Sequence, residues 1–341
     1  MTVYLPAVPG YPQAGAALRA AGLAPTDLVH VVEYVTGDTP ELTALRHDLL
    51  GGHAVPVATV AVEALPGGEP YAVELTAHPG GGELVIAHED TGPHRGTLRI
   101  ADGIVYLPSI HPCDAHGPVH PGDFRAQYRY CLERAADLLK AAGLGPQTLV
   151  RTIDYTATST RADYPRCGRP RRELLGGTGS DGRPVFPGAA GILVDRPVLP
   201  GAMVSLDAIA STAPLRTVNP GWARYETLTY KPGVAAGDTL FMSGFGALEP
   251  ATQKAIFDGD LAAQAEYTYA AIAAVLREAG LTGRDVVRLI EYVTPEGVSV
   301  YPGLADLRAR YFGEVALTSV VCSALLRPEF LIEVVPVAVF R

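Results

Sequence analysis

The sequence predicts an α+β fold assembled from tandem copies of one unit. Three observations carry that expectation. One block occurs three times, as AAGLAPTDLVHVVEYVT at 20–36, AAGLGPQTLVRTIDYTA at 141–157 and EAGLTGRDVVRLIEYVT at 278–294. A second motif, Gly-Asp-x-x-Ala-Gln-x-x-Tyr, stands at 122–130 and 259–267, at the same distance before the repeated glycine. Around both motifs, amphipathic helical segments alternate with short β-branched runs, and internal repeats of this kind decide the architecture.

Each copy of the block reads as a helix end, a glycine stop, a short polar turn and an apolar strand. Gly22, Gly143 and Gly280 stand where a helix closes in the left-handed conformation that suits glycine. In the first unit, 1–80, a helix is expected over 11–21 and a buried strand over 28–35. A second helix follows over 40–50, entered through Asp38-Thr39 and closed by Gly51-Gly52. Strands are expected over 55–64 and, after the Pro66-Gly67-Gly68 turn, over 71–76. Nothing before Tyr11 reads as an opening hairpin, so this unit is expected to be truncated.

The second unit, 95–212, opens with two strands around the turn at 101–103. A loop, SIHPCDAHGPVHPGD, leads to a long amphipathic helix over 124–142 started by Gly122-Asp123. The repeat block, a basic loop, a short helix ending at Leu175, the loop GGTGSDGRP and closing strands over 185–194 and 202–209 complete it. In the third unit, 222–341, strands are expected over 225–230 and 239–243, the long helix over 260–279 and a strand over 288–293. A helix over 303–311 and strands over 318–326 and 330–339 follow. The segment between these two units, STAPLRTVNPGWARYE, reads as a linker.

Composition narrows the function. The 341 residues fit two or three domains, and 48% of them are apolar, enough for several packed cores. A net charge of −9 argues against a nucleic-acid partner, which needs a basic face. Cys113, Cys131, Cys167 and Cys322 show no CxxC spacing, so free thiols in a reducing compartment are expected. The N-terminus carries no basic leader, and no run reaches the roughly 18–20 apolar residues of a membrane span. A cytoplasmic protein without a membrane partner is the expectation.

Several residues resemble the Rid superfamily. They are the LFMSGFG strand end at 240–246, the GDLAAQ helix start at 259–264 and the closing Leu331-Ile332-Glu333-Val334 strand, in the order β-β-β-α-β-α-β-β. The resemblance covers most of the third and second units and the latter half of the first. It implies chorismate-mutase-like mixed sheets with helices packed on one face. It also implies a trimer with pockets between neighbours, here an intrachain pseudo-trimer like the cyanuric acid hydrolase and barbiturase family. The arginine by which Rid deaminases hold a substrate carboxylate has no counterpart at 56–59, 187–190 or 316–319. The strand carboxylate of the family matches Glu74 and Glu333, with Ser205 and nearby Asp207 in the second unit. Cys167-Gly168-Arg169, Pro187-Gly188-Ala189-Ala190-Gly191-Ile192 and Arg327-Pro328-Glu329-Phe330-Leu331-Ile332-Glu333 are similar to the chorismatase branch, whose catalytic glutamate would be Glu333.

The candidate site follows from these residues. A carboxyl on an apolar strand has a raised pKa and suits a general acid near neutral pH, which makes Glu333 the catalytic candidate, with Ser243 at a neighbouring strand end. Arg169 and Arg166, from an arginine-rich segment, are candidates to grip an anion in bidentate fashion. Tyr164, Tyr292 and Thr318 are expected to wall the pocket, and Glu74 and Ser109 are secondary candidates. His111, Cys113, Asp114, His116 and His120 cluster without metal-ligand spacing, and GGTGSDG does not join a strand to a helix as a phosphate loop does, so no metal or cofactor is expected.

The expected function is a hydrolytic enzyme acting on an anionic metabolite in an inter-unit cleft. Imine or enamine deamination and enol-ether hydrolysis are its two forms, and secondary metabolism is a fitting setting. A non-catalytic ligand-binding or assembly protein is the alternative. The expected partner is the small substrate alone, with the chain either a monomeric pseudo-trimer or a homo-oligomer.

Overall fold

The computed structural model describes residues 1–87 and 96–341. The expected start of the second unit at Arg95 lies outside them. Three sheets, one for each copy of the repeated block, surround a shared core. The first contains β1 (Val3–Val8), β2 (Leu28–Val35), β3 (Val57–Ala61) and β4 (Tyr71–Ala77) in the order β1-β4-β2-β3. The second contains β5 (Glu83–Ile86), β6 (Thr97–Ala101), β7 (Ile104–Tyr106), β8 (Leu149–Ala157), β9 (Gly188–Val194) and β10 (Val204–Ser211). The third contains β11 (Leu215–Val218), β12 (Gly233–Ala236), β13 (Thr239–Met242), β14 (Val286–Val293), β15 (Ala316–Val321) and, beyond the short β16 (Ala324–Leu325), β17 (Ile332–Val339). The second sheet runs β16-β9-β8-β10-β7-β6-β5 and borrows β16 from the end of the chain; the third runs β11-β12-β13-β17-β14-β15.

The repeat block supplies the central strand of each sheet. Each of β2, β8 and β14 pairs parallel on one side and antiparallel on the other, and each bulges at the same place, before His30, Arg151 and Arg288. The bulge sets which residues face inward. Val32 and Tyr34, Ile153 and Tyr155, and Ile290 and Tyr292 meet in one core between the sheets. The Tyr155 and Tyr292 hydroxyls are 2.6 Å apart there, so these rings enter an apolar core with their polar ends matched.

Helices cover the outer faces. Helices α1 (Tyr11–Ala20) and α2 (Leu42–Leu50) pack on the first sheet, α3 (Phe124–Ala141) and α4 (Gly168–Leu174) on the second, and α5 (Leu261–Glu278) and α6 (Ala305–Phe312) on the third. Among the described residues no helix is long and apolar enough to cross a membrane. The second sequence motif has a mechanical purpose. Asp123 and Asp260 accept from the Ala126 and Ala263 N–H groups at 3.0 Å, caps that stabilise each helix start by about 1 kcal/mol. Buried Gln127 and Gln264 then tie each helix to backbone groups of two separate loops.

The structure departs from the sequence expectations in several places, among them β5, which lies before the expected start of the second unit. The first unit has an opening strand after all, β1, which pairs antiparallel with β4. A single strand with Pro6 and Pro9 around its end lacks the turn signal of a hairpin, which is why it escaped notice. The presumed linker contributes β11, paired with β12. Residues 225–230 form no strand: a 3-10 turn spans Ala223–Glu226, and the Asn219 side chain bonds Trp222 to fix that turn. The glycine-rich loop closes a two-stranded hairpin, Gly177–Thr178 against Pro184–Val185.

Candidate active site

Glu333 lies near the start of β17, opposite Tyr292 of β14, with its side chain directed at the second sheet. Only 7% of it is exposed. Burial lifts its carboxyl to about 8, and the Gly191 N–H alone pulls the other way. At neutral pH this group is therefore mostly protonated. A side chain at Gly244 would overlap the Glu333 carboxyl and press on Ala190 of the second unit, so glycine leaves the carboxyl a fitted niche.

Two tyrosines complete the third-unit side. The Tyr225 and Tyr230 rings stand nearly perpendicular, 5.6 Å apart. Both hydroxyls are raised, chiefly by burial, and each feels Glu333; around Tyr230 the guanidinium groups of Arg327, Arg171 and Arg224 oppose that rise. The loop that carries these rings is held by Lys231, whose Nζ donates to the Tyr225 carbonyl at 2.7 Å and the Glu226 carbonyl at 3.3 Å. The site thus joins a carboxyl whose pKa burial has raised with two phenols, one of them, Tyr230, within reach of three arginine charges.

The sequence candidates divide on inspection. Tyr164 sits on the second-unit side, its ring over Gly191 and its hydroxyl donating to Asp154 at 2.7 Å. Ser243 is adjacent but fully engaged: Oγ donates to the Lys231 carbonyl at 2.6 Å and accepts from the Ala189 N–H at 2.9 Å, pinning the third sheet to β9. Tyr292 is committed to the central core. Arg169 is 86% exposed and pairs with Glu173 at 2.8 Å, and Arg166 is exposed and pairs with Asp163. Both lie on the solvent face of α4 and its approach, away from Glu333. The buried arginine of that segment is Arg171.

The remaining candidates belong to other junctions. Thr318 donates to Glu74, which also pairs with Arg288, all between the first and third sheets. Ser109 donates to Asp207 at 2.8 Å and accepts from the Thr59 N–H at 3.2 Å, between the first and second. Burial raises Asp207 to about 6, against the pull of Ser109, Arg151 and Arg288. The strand registers correct one alignment. Tyr292 pairs with Glu333, Tyr155 with Ser205 and Tyr34 with Ala72, whereas Val32 pairs with Glu74 and Ile153 with Asp207. Glu74 is therefore the counterpart of Asp207, two residues from the Glu333 position. The apolar runs Tyr71–Ala77 and Ile332–Val339 offer no internal mark of register, so only strand pairing separates the two.

Behind each cleft stands a repeated clasp that sequence reasoning missed. In the first unit Arg46 grips Glu33 through Nε at 2.8 Å and Nη2 at 2.7 Å, with Tyr11 and Thr59 also donating to it. In the third, Arg308 grips Glu291 at 3.0 and 2.6 Å, with Tyr269 and Tyr301 donating. In the second the carboxylate is the shorter Asp154. Arg171 stands 3.9 Å from it and turns Nε to the Thr229 carbonyl instead, beside Tyr230. Nη1 donates to Tyr128 and Thr152, while Nη2 has no partner among the described residues. The Glu-to-Asp change inside the repeat block was the available signal.

Elsewhere, His111, Cys113, Asp114, His116 and His120 flank a small hairpin, Cys113–Asp114 against Gly117–Pro118. Among the described residues no three or more His, Cys, Asp or Glu side chains are grouped as a metal ion would require. A cavity of about 540 Å³ lies away from Glu333, between the first and second units.

Comparison with known proteins bears on this arrangement. Residues 223–340 match the Endoribonuclease L-PSP family, which is the third unit. None of the curated proteins matches the chain. Among solved structures, a chorismatase superposes with a TM-score of 0.60 at 13% identity, covering 92% of this chain and 93% of its own. That degree of likeness establishes the fold. A putative endoribonuclease from Thermotoga maritima matches at 23% identity over 37% of this chain and 98% of its own, with a TM-score of 0.34. The YjgF gene product of E. coli matches at 23% identity over 37% of this chain and 99% of its own, with a TM-score of 0.33.

Proposed function

We propose that this chain, a tandem member of the Rid superfamily with a chorismatase-like fold, hydrolyses an anionic small molecule in the cleft between its second and third units. Glu333 is the general acid. The observation that carries the reading is its buried carboxyl, protonated at neutral pH and set against Gly191 of the neighbouring unit.

The chemistry follows from that state. An enamine or enol ether has an electron-rich carbon. Glu333 delivers its proton there, and the lone pair on the adjacent nitrogen or oxygen stabilises the resulting cation. Water adds to the cationic carbon and returns a proton to the Glu333 carboxylate. The tetrahedral adduct then expels ammonia from an enamine substrate, or an alcohol from an enol ether, leaving a carbonyl product. General acid catalysis of this kind contributes roughly 10²–10⁴-fold. Arg171, Arg224 and Arg327 near Tyr230 supply the field that favours an anion over a neutral substrate.

Incubation with chorismate and with 2-aminoacrylate-type imines tests both forms. Pyruvate from the first or ammonia from the second supports the reading, and a Glu333→Gln variant that stays folded should lose about 10²–10⁴ in kcat. Neither product, or an unchanged rate in the variant, removes it. The exposed positions of Arg169 and Arg166 and the commitment of the Ser243 proton to the Lys231 carbonyl favour the second reading, a ligand-binding protein without turnover. Ligand affinity that survives Glu333→Gln with no product would select it.

A further inference from the structure

The cavity of about 540 Å³ falls within the roughly 300–1,000 Å³ of small-molecule sites. Its walls are the ends of β2 and β3 on one side and the end of β9 with the loop to Gly201 on the other. The floor is apolar and buried, made of Val35, Leu42, Val62 and Val194. The rim carries three carboxylates, Asp38, Glu63 and Asp195, against one cation, Arg196. Arg196 reaches across from one wall to the Thr36 carbonyl of the other, at 2.8 Å, so its charge is partly engaged by the rim itself.

Two of the carboxylates are held in place. Ser323 Oγ donates to Glu63 Oε2 at 3.0 Å and accepts from the Asp195 N–H at 2.8 Å, and Thr158 donates to Asp195 Oδ1 at 2.9 Å. One oxygen of each acid is fixed by these bonds. The structure thus links residues of all three units at the cavity's edge, a built rim on an apolar floor.

We propose that this cavity is a second ligand site, separate from the Glu333 cleft, for a small molecule with an apolar body and an ammonium head. The body rests on the valine and leucine floor, and the head lies between Glu63 and Asp195. The charge of the rim rejects the anions that the Glu333 cleft attracts, so the two sites select ligands of opposite sign.

The test uses the full chain with labelled Leu and Val methyl groups, titrated with 2-phenylethylammonium and with 3-phenylpropanoate, which match in body and differ in charge. The ammonium should shift the methyls of Val62 and Val194, weaken with added salt, and bind about three- to tenfold less tightly to a Glu63→Gln/Asp195→Asn variant, the usual effect of removing two partly solvated charges. Both side chains are exposed, so the variant should fold; its methyl spectrum without ligand verifies this. Equal affinity for the carboxylate, absence of shifts at these methyls, or a variant that binds as before overturns the proposal.

Discussion

Replacing Glu333 by Gln removes the one titration that burial has moved furthest into the neutral range. The carboxyl titrates near 8 in the fold, against 4.5 in ordinary surroundings. The difference corresponds to about 5 kcal/mol between ionising it in the folded and in the unfolded chain. The sign is fixed by the direction. A raised folded pKa means that the folded chain holds the proton more tightly, so the contribution to stability is fully present below about pH 4.5 and is lost as pH rises through about 8. Gln keeps the shape and cannot ionise. The variant should therefore match the wild type near pH 4.5, gain on it progressively between pH 4.5 and 8, and stay about 5 kcal/mol ahead above that. Denaturant unfolding at a series of pH values reads this directly, with ΔG compared at equal m-values. Parallel stability curves for the two proteins would refute the protonated carboxyl and, with it, the general-acid role.

Other substitutions separate support from chemistry. Ser243→Ala strips two hydrogen bonds from the junction with β9 and leaves the Ala189 N–H unsatisfied, so about 1–3 kcal/mol of stability should go; a collapse in kcat with an unaltered melting temperature would return Ser243 to catalysis. Arg169→Ala removes an exposed pair with Glu173 and should cost no more than about 1 kcal/mol by thermal melting, with substrate KM unchanged; a large rise in KM would contradict its surface position. Arg288→Met leaves Glu74 buried with Thr318 as its hydrogen-bond donor and only the more distant Arg151 as a counter-charge, a loss of about 3–5 kcal/mol in denaturant unfolding; a near-neutral effect would mean that the Arg288 pair adds little to the junction.

Much of the fold was legible because each element of the repeat carries its own local signal. The glycine stops, the Asp caps and the β-branched runs act through neighbours a few residues away, and the central strand expected at 28–35 coincides with Leu28–Val35. What escaped was set over long distances. β1 is a strand only because β4 offers it an edge. The strand expected at 225–230 yields to a turn fixed by Asn219. Of the proposed site, Glu333 and Tyr164 were visible in the sequence, since an acid on an apolar strand is an anomaly. Its arginine was not: five arginines in one segment look alike in sequence, and only the turn of α4 buries Arg171 while exposing Arg169. The register of Glu74 likewise depends on a bulge in its partner strand, which no pattern in its own strand reveals.

The three clasps point to what a single chain permits. Where identical subunits assemble, one codon is read into every cleft, and a change that opens one site opens all of them. Here the Glu-to-Asp change at Asp154 touches one cleft, while Glu33 and Glu291 hold their arginines in full clasps that brace the fold. Ser205 and Ala72 likewise occupy the position that Glu333 holds in the third unit. Joining the copies end to end frees each junction to drift under its own selection, so that one can keep an acid, another can gather carboxylates at its rim, and the third can remain a brace.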